Sequence, residues 1–261
     1  MLKNILLDIE YDGTNYFGWQ IQNIKEKAEV EDKKKLGGRK LRTVQEEVEK
    51  AIEKLFNRKI RVTCSGRTDR GVHAKSQCVN FKANTRIPLK NIKGALNAFL
   101  PDDIRIRKVK FVSLNFHARF SAKSKVYRYI IMNRKEPSVF LNRYVWHLPQ
   151  NIDIERMRKA SSYLKGKKDF SCFAKESSKY KSCVRKMLGI AIKKNGKYIY
   201  IDMEASGFLR NMARNIVSFL VMTGMGQILQ KDIRGIIKGR IRYTNNPAPP
   251  GGLYLMKVNY E

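Results

Sequence analysis

The order of strand-like and helix-like segments constrains the fold of this chain more than any other feature. Strand-like alternation predicts strands over residues 2–10, 58–64, 77–83, 104–112, 126–132, 187–194 and 198–205. Amphipathic or apolar helical patterns predict helices that begin at residues 43, 88, 153 and 208. Each half of the chain therefore runs strand, helix, strands, helix. This order predicts an α+β fold with a largely antiparallel sheet flanked by helices.

Two short signals fix the ends of particular elements. Thr43 followed by Glu46 three residues later fits a capping box, so a helix is expected to start at Thr43. Asn195-Gly196 between two strand-like segments is typical of a type I′ hairpin turn.

No Pro/Gly/Ser-rich linker separates the two halves. We therefore predict two similar lobes that share one sheet, an N-terminal lobe over residues 1–112 and a C-terminal lobe over residues 113–261. Sequence similarity between the halves is too weak to define a repeat. Residues 25–42 are mostly charged and contain a Gly37-Gly38 pair, which predicts a mobile loop.

The charge balance predicts a polyanionic partner. Lys plus Arg number 54 against 23 Asp plus Glu, a formal net charge of +31. Such a surface binds nucleic acid because each neutralised phosphate releases a counterion. Composition drift toward Lys would raise Glu as well, and no basic amphipathic helix or lipidation signal favours a membrane surface. No helix-turn-helix or zinc-finger pattern favours a DNA-binding protein.

Neither targeting nor metal-binding patterns occur in the sequence. Residues 1–10 lack the apolar stretch of a secretory signal, and the apolar run over 216–229 is too short and polar to span a bilayer. The four cysteines form no CxxC pair, and the three histidines lie in no paired ligand motif. We expect a cytoplasmic protein with reduced thiols, no metal and no membrane association.

Residues 65–74, Ser-Gly-Arg-Thr-Asp-Arg-Gly-Val-His-Ala, lie between two predicted strands. Asp69 in this loop has the chemistry of a nucleophile or a base, and Arg67 is close enough in sequence to favour its ionised form. A structural Arg–Asp ion pair in a Gly-rich turn explains the same residues, and the residue types alone favour it.

Eight blocks in order resemble the tRNA pseudouridine synthase A family. Besides Gly66-Arg67-Thr68-Asp69 with Gly71-Val72-His73-Ala74, they include Tyr11-Asp12-Gly13-Thr14 with Gly18-Trp19-Gln20, Thr43-Val44-Gln45, Phe116-His117-Ala118-Arg119, Tyr127-Arg128-Tyr129, Asp169-Phe170-Ser171, Phe208-Leu209-Arg210 with Arg214-Asn215-Ile216-Val217, and Pro249-Pro250-Gly251-Gly252-Leu253. The resemblance covers nearly the whole chain.

The resemblance implies a pseudouridine synthase fold and the isomerisation of uridines 38–40 in the anticodon arm of tRNA, without cofactor or metal. It implies Asp69 as the nucleophile, attacking either the ribose or the base. It also implies a homodimer that binds one tRNA across two subunits. These expectations agree with the basic charge of the chain.

The resemblance also suggests roles for other residues. Tyr127 matches an active-site tyrosine whose ring stacks on the uracil, whereas Tyr129 is expected to pack in the core. Arg210 and Arg214 stand four apart in the helical pattern, which predicts that they share one face and that one of them, Arg214 first, pairs with Asp69. Arg119 is expected to bind the substrate.

Three departures from the family pattern concern Arg70, where the family has a small residue, Ser218, where glycine is common, and the insertion-like segment 25–42. None of them removes a catalytic group.

Two alternatives stay open: a related uridine isomerase acting on another RNA, and a non-catalytic RNA-binding protein. Asp69 discriminates against the second, because a carboxylate in a basic groove repels phosphate.

Overall fold

The computed structural model describes residues 1–21, 42–241, 243 and 246–261. The chain divides into two compact units, Met1–Ser121 and Ala122–Glu261. The α+β prediction is confirmed, since each unit combines helices with strands that pair almost entirely antiparallel. The predicted mobile loop lies outside the described residues, apart from Arg42.

The first unit is a small sheet covered by two helices. Its strands are β1 (Leu2–Tyr11), β2 (Thr63–Cys64), β3 (His73–Asn84) and β4 (Ile104–Val112), and its helices are α1 (Val44–Phe56) and α2 (Leu89–Phe99). β1 lies between β4 and β3, β2 pairs with β3, and all these pairings are antiparallel. Strand and helix periodicity places the core side chains of this unit at Ile5, Leu7, Ile9, Val48, Ile52, Ile92 and Leu96.

The start of α1 confirms the predicted cap, because the Thr43 hydroxyl accepts a hydrogen bond from the Glu46 N–H at 3.2 Å. The helix ends at Asn57, which adopts a left-handed conformation with φ of +50°. The predicted strand over 58–64 is mostly wrong. The Val62 N–H donates to Glu49 Oε1 rather than to a neighbouring strand, so only Thr63–Cys64 joins the sheet.

The second unit is built on a longer antiparallel sheet. Its strands are β5 (Ser124–Met132), β6 (Trp146–His147), β7 (Gly166–Asp169), β8 (Val184–Asn195), β9 (Tyr198–Ala205) and β10 (Leu253–Asn259). Its helices are α3 (Ile154–Ser162), α4 (Met212–Gly224) and α5 (Ile233–Ile237), with short 3-10 helices at Ser171–Phe173, Ser177–Lys179 and Pro250–Gly252. The strand order is β10, β5, β9, β8, β7, and β6 joins β5 in parallel.

The hairpin between β8 and β9 forms at the predicted place, but its turn is not the predicted type I′. Asn195 pairs with Tyr198, so Gly196 and Lys197 are the central residues, and only Gly196 has a positive φ, +54°, whereas type I′ requires a positive φ at both. Helix α4 is buried along most of its length, as its apolar sequence predicts. None of the described helices is long and apolar enough to cross a membrane.

Candidate active site

Buried polar side chains fasten the first residues of the loop that contains Asp69. Ser65 donates from Oγ to Gln77 Oε1 at 2.7 Å, and Gln77 donates from Nε2 to the Gly66 carbonyl at 2.6 Å. Both Ser65 and Gln77 are fully buried. A buried polar group that loses its partner costs about 1–3 kcal/mol. These bonds therefore hold the beginning of the loop in one conformation.

The middle of the loop packs against residues 11–20. The Thr68 hydroxyl lies 2.8 Å from Tyr11 Oη, and the Thr68 carbonyl accepts from the Trp19 N–H at 3.1 Å. Burial raises the pKa of Tyr11 far above its usual value, so its hydroxyl stays protonated. A β-carbon on Gly18, whose φ is +85°, would lie 2.6 Å from the Thr68 carbonyl oxygen. Only glycine permits this approach.

His73 fastens the end of the loop. Its ring is almost completely buried, with Nδ1 3.1 Å from the Gly13 nitrogen, which donates to it, and 3.0 Å from Asp12 Oδ1. The sequence alone assigns no role to His73 or Gln77, although both lie in or beside the motif. These two side chains fix the conformation of the loop through buried hydrogen bonds to residues that are distant in sequence. Residue types alone reveal neither the burial nor the partners.

Asp69 thus lies on a loop that is held at both ends. It is partly exposed, and its neighbours Arg67 and Arg70 are exposed. The Arg70 guanidinium lies 4.2 Å from the centre of the Phe17 ring, a cation–π contact that restricts this long side chain. The loop therefore presents a carboxylate with an arginine two residues before it and another directly after it. This arrangement suits a nucleophile that works on an anionic substrate.

Arg119 lies on a loop that is anchored to the sheet of the first unit. The side-chain amides of Asn4 and Asn80 both donate to the Phe116 carbonyl, at 3.0 and 3.3 Å. Arg119 is exposed, and its guanidinium lies 5.6 Å from the Phe120 ring, which is 76% exposed. A guanidinium and an aromatic ring are the groups that stack on RNA bases, so this surface fits an RNA contact.

In the second unit, β5 contains Tyr127 and Tyr129 two residues apart. The Tyr129 side chain is fully buried, and its hydroxyl donates to the Pro249 carbonyl at 2.7 Å. Burial raises the pKa of Tyr129, and its predicted core role is confirmed. Tyr127 is 6% exposed, and its ring meets the Phe208 ring edge-on at 4.9 Å. Tyr127 therefore has a ring held in place with a small accessible area.

The prediction that Arg210 and Arg214 share a helix face is wrong. Asn211 has a φ of +61° and precedes the first residue of α4, so Arg210 lies outside the helix. The Arg210 guanidinium pairs with Glu176 at 2.9 Å. Arg214 is inside α4, and its Nε donates to the Ala248 carbonyl at 2.6 Å. The left-handed residue separates the two arginines into different local environments.

Metal ligation is not evident in the part of the chain that the structure describes. No group of three or more His, Cys, Asp or Glu side chains in these residues is placed to hold a metal ion. The four cysteines, Cys64, Cys78, Cys172 and Cys183, are free thiols. Burial raises the pKa of Cys172 to about 11, which makes it a poor nucleophile near neutral pH.

Comparison with known proteins points to a single protein family. The family model described as tRNA pseudouridine synthase matches residues 9–121 and 160–261. These segments include the Asp69 loop, Arg119, Arg210 and Arg214, whereas Tyr127 lies between them.

Curated relatives are similar over almost their whole length. The chain is 43% identical to tRNA pseudouridine synthase A of Thermoanaerobacter sp. (strain X514) over 260 residues, which covers 99% of this chain and 100% of the relative. It is 42% identical to the protein of the same name from Caldicellulosiruptor saccharolyticus, with the same coverage. It is 41% identical to tRNA pseudouridine synthase A 2 of Clostridium perfringens, again over 99% of this chain and 100% of the relative.

Proposed function

The chain belongs to the tRNA pseudouridine synthase family, and we propose that it isomerises uridine to pseudouridine in the anticodon stem-loop of tRNA, with Asp69 as the nucleophile. Membership of this family makes the protein an isomerase. The observation that supports Asp69 is its position on a loop held by buried hydrogen bonds, partly exposed and flanked by Arg67 and Arg70.

The proposed reaction moves uracil from a nitrogen to a carbon attachment. The N1–C1′ bond breaks, a C5–C1′ bond forms, and a proton passes from C5 to N1, so no atom is gained or lost. A carboxylate suits this chemistry, because it adds covalently to an electrophilic carbon of the ribose or of the uracil ring and leaves again. Asp69 supplies that carboxylate without drawing on a second reactant.

Two arginines complete the proposed catalytic set. Arg67, two residues before Asp69, is proposed to supply positive charge beside the carboxylate and to position it for the substrate. Arg214 is proposed as a second supporting cation. Its backbone is fixed inside α4, and the Ala248 carbonyl orients its guanidinium.

Three further residues are proposed to bind the substrate. Tyr127 stacks on the target uracil once that base is turned out of the RNA stack, and the contact with Phe208 holds its ring for this purpose. Arg119 contacts RNA from its anchored loop. Arg210 is proposed as a weaker RNA contact, because its ion pair with Glu176 partly neutralises the positive charge that attracts phosphate.

The protein is proposed to act in the cytoplasm as a homodimer that binds one tRNA across two subunits. The net charge of +31 on each chain supports a large anionic substrate. Sedimentation at micromolar concentration is expected to give twice the chain mass of 30.3 kDa. A single species at the mass of one chain would refute the dimer.

The experiment that tests the function is chemical mapping of pseudouridine in tRNA from cells with and without this gene. We expect pseudouridine in the anticodon arm to disappear when the gene is deleted and to return when it is restored. An unchanged map would overturn the proposed substrate. If pseudouridine disappeared only from an RNA other than tRNA, the protein would instead be a related uridine isomerase that acts on that RNA.

A further inference from the structure

At the end of β3 remote from the Asp69 loop, the first unit contains a basic groove. An open cavity of about 480 Å³ lies between the end of α1, residues 58–61 and the end of β3. Among the residues that the structure describes, the charged ones that line it are all cations, namely Arg58, Lys59, Arg61 and Lys82. The proposed reaction uses none of them.

Local structure fixes the backbone that carries these cations. Asn57 ends α1 in a left-handed conformation, and Glu49 accepts from the Val62 N–H, so the intervening residues cross the surface as a short loop. Glu49 also holds the Arg61 guanidinium at 3.2 Å. Lys82 lies between two buried residues of β3 and is therefore directed to the exposed side of the strand.

The neighbouring depression has a different charge balance. It shares Lys59, Ile60 and Arg61 with the groove and adds Lys50, but its other charged lining residues are Glu46, Glu49 and Glu53. Because these carboxylates repel phosphate, an anionic ligand is drawn to the first groove and away from the second.

The position of the groove determines which part of a substrate reaches it. An antiparallel strand rises about 3.4 Å per residue, so Lys82 lies about 30 Å along β3 from His73, at the end of the Asp69 loop. A single molecule that places a nucleotide at Asp69 and a phosphate in the groove must therefore be long enough to span this separation. Flexible lysines and exposed arginines without an enclosed pocket suit the sugar–phosphate backbone rather than a base.

We propose that this groove binds the sugar–phosphate backbone of tRNA outside the anticodon loop. The proposal rests on the proposed function for the identity of the RNA. It makes the groove a second anchoring point, which sets how the whole tRNA lies on the protein while Asp69 acts on one of its uridines.

The test removes three charges from the groove and three from elsewhere. The groove variant is Arg58→Gln with Lys59→Gln and Lys82→Gln, and Arg61 is kept because it pairs with Glu49. The control is Lys193→Gln with Lys194→Gln and Lys197→Gln, all exposed at the β8–β9 hairpin. Each is titrated with complete tRNA and with an isolated anticodon stem-loop at several salt concentrations.

The groove variant should raise the Kd for complete tRNA about 10-fold or more over the control, and the slope of log Kd against log salt should fall by about 3. The effect on the isolated stem-loop should be clearly smaller. The single-turnover rate of bound tRNA should match that of the wild type, because the groove is remote from Asp69.

Equal losses in the groove and control variants, or equal losses for both RNAs, would overturn the groove as a specific site. These measurements concern binding, so they decide the question even if the wild-type protein makes no pseudouridine. Absence of turnover in the wild type would instead count against the proposed function.

Discussion

Asp69 is the one carboxylate in residues 65–74, a loop that also contains Arg67 and Arg70. For a protein that only binds RNA, a carboxylate between exposed arginines weakens the attraction for phosphate. A carboxylate that takes part in the reaction offsets this loss of binding energy by its contribution to catalysis. The charge pattern around this residue therefore supports the catalytic role on physical grounds that are independent of the motif.

Arg67 is expected to act through Asp69 rather than as a phosphate contact. Arg67→Ala should lower the single-turnover rate by about 10²-fold or more, because a catalytic group that loses its support is misplaced for reaction. The affinity for tRNA should change little, since one cation is lost among 54 basic residues. Rapid-quench measurement of pseudouridine and a binding titration test the two parts.

The matched control is Arg86→Ala, which removes an exposed arginine from the loop after β3. It should leave both quantities near wild-type values. If Arg67→Ala lost affinity while bound tRNA still reacted normally, Arg67 would be a phosphate clamp.

At the scale of elements, the loop after β2 depends on one buried amide. Gln77→Met keeps the side-chain length but removes the partners of Ser65 and of the Gly66 carbonyl. We expect the free energy of unfolding to fall by about 1–3 kcal/mol. Turnover should fall as well, by about 10-fold or more, because the loop that holds Asp69 is no longer fixed.

The matched control is Asn97→Leu, which removes a similar pair of side-chain bonds between α2 and Ile106 of β4. It should lower stability by a comparable amount and leave turnover intact. Thermal melts and single-turnover rates compare the two variants. Equal turnover in both would show that Gln77 contributes to stability alone.

The elements that the sequence predicts correctly depend on neighbouring residues. The Thr43 cap and the hairpin at Asn195-Gly196 are local, and both form, although the turn of the hairpin is not the predicted type I′. The strand over 58–64 and the helix start at residue 208 are wrong because distant or unusual backbone features decide them. Glu49 takes the Val62 N–H in the first case, and Asn211 adopts a left-handed conformation in the second.

The candidate site shows the same division. The motif indicates Asp69 directly, because its residue types and spacing are distinctive. The buried side chains that fix the loop, Gln77 and His73, are not evident from the sequence. Their hydrogen-bond partners, such as Gly13 for His73, come close only in the folded chain. Likewise, the pairing of Arg210 with Glu176 joins residues far apart in sequence, which helical spacing does not reveal.

At the scale of the whole molecule, the net charge of +31 predicts binding that depends steeply on salt. A protein that neutralises several phosphates should lose about 10³-fold or more in affinity between about 50 and 200 mM salt. Filter binding with complete tRNA at a series of salt concentrations measures this slope. A flat dependence would exclude phosphate neutralisation as the main source of affinity.

The most direct test of the account is a single-turnover assay with excess Asp69→Asn protein and tRNA, alongside a binding titration. Asparagine keeps the size and hydrogen-bonding capacity of the side chain but lacks the anionic oxygen that forms the covalent bond. We predict that pseudouridine formation is abolished while tRNA binds as well as to the wild type or slightly better, because a negative charge has left a basic surface. Pseudouridine formed at a near wild-type rate would contradict the account and remove Asp69 from the mechanism.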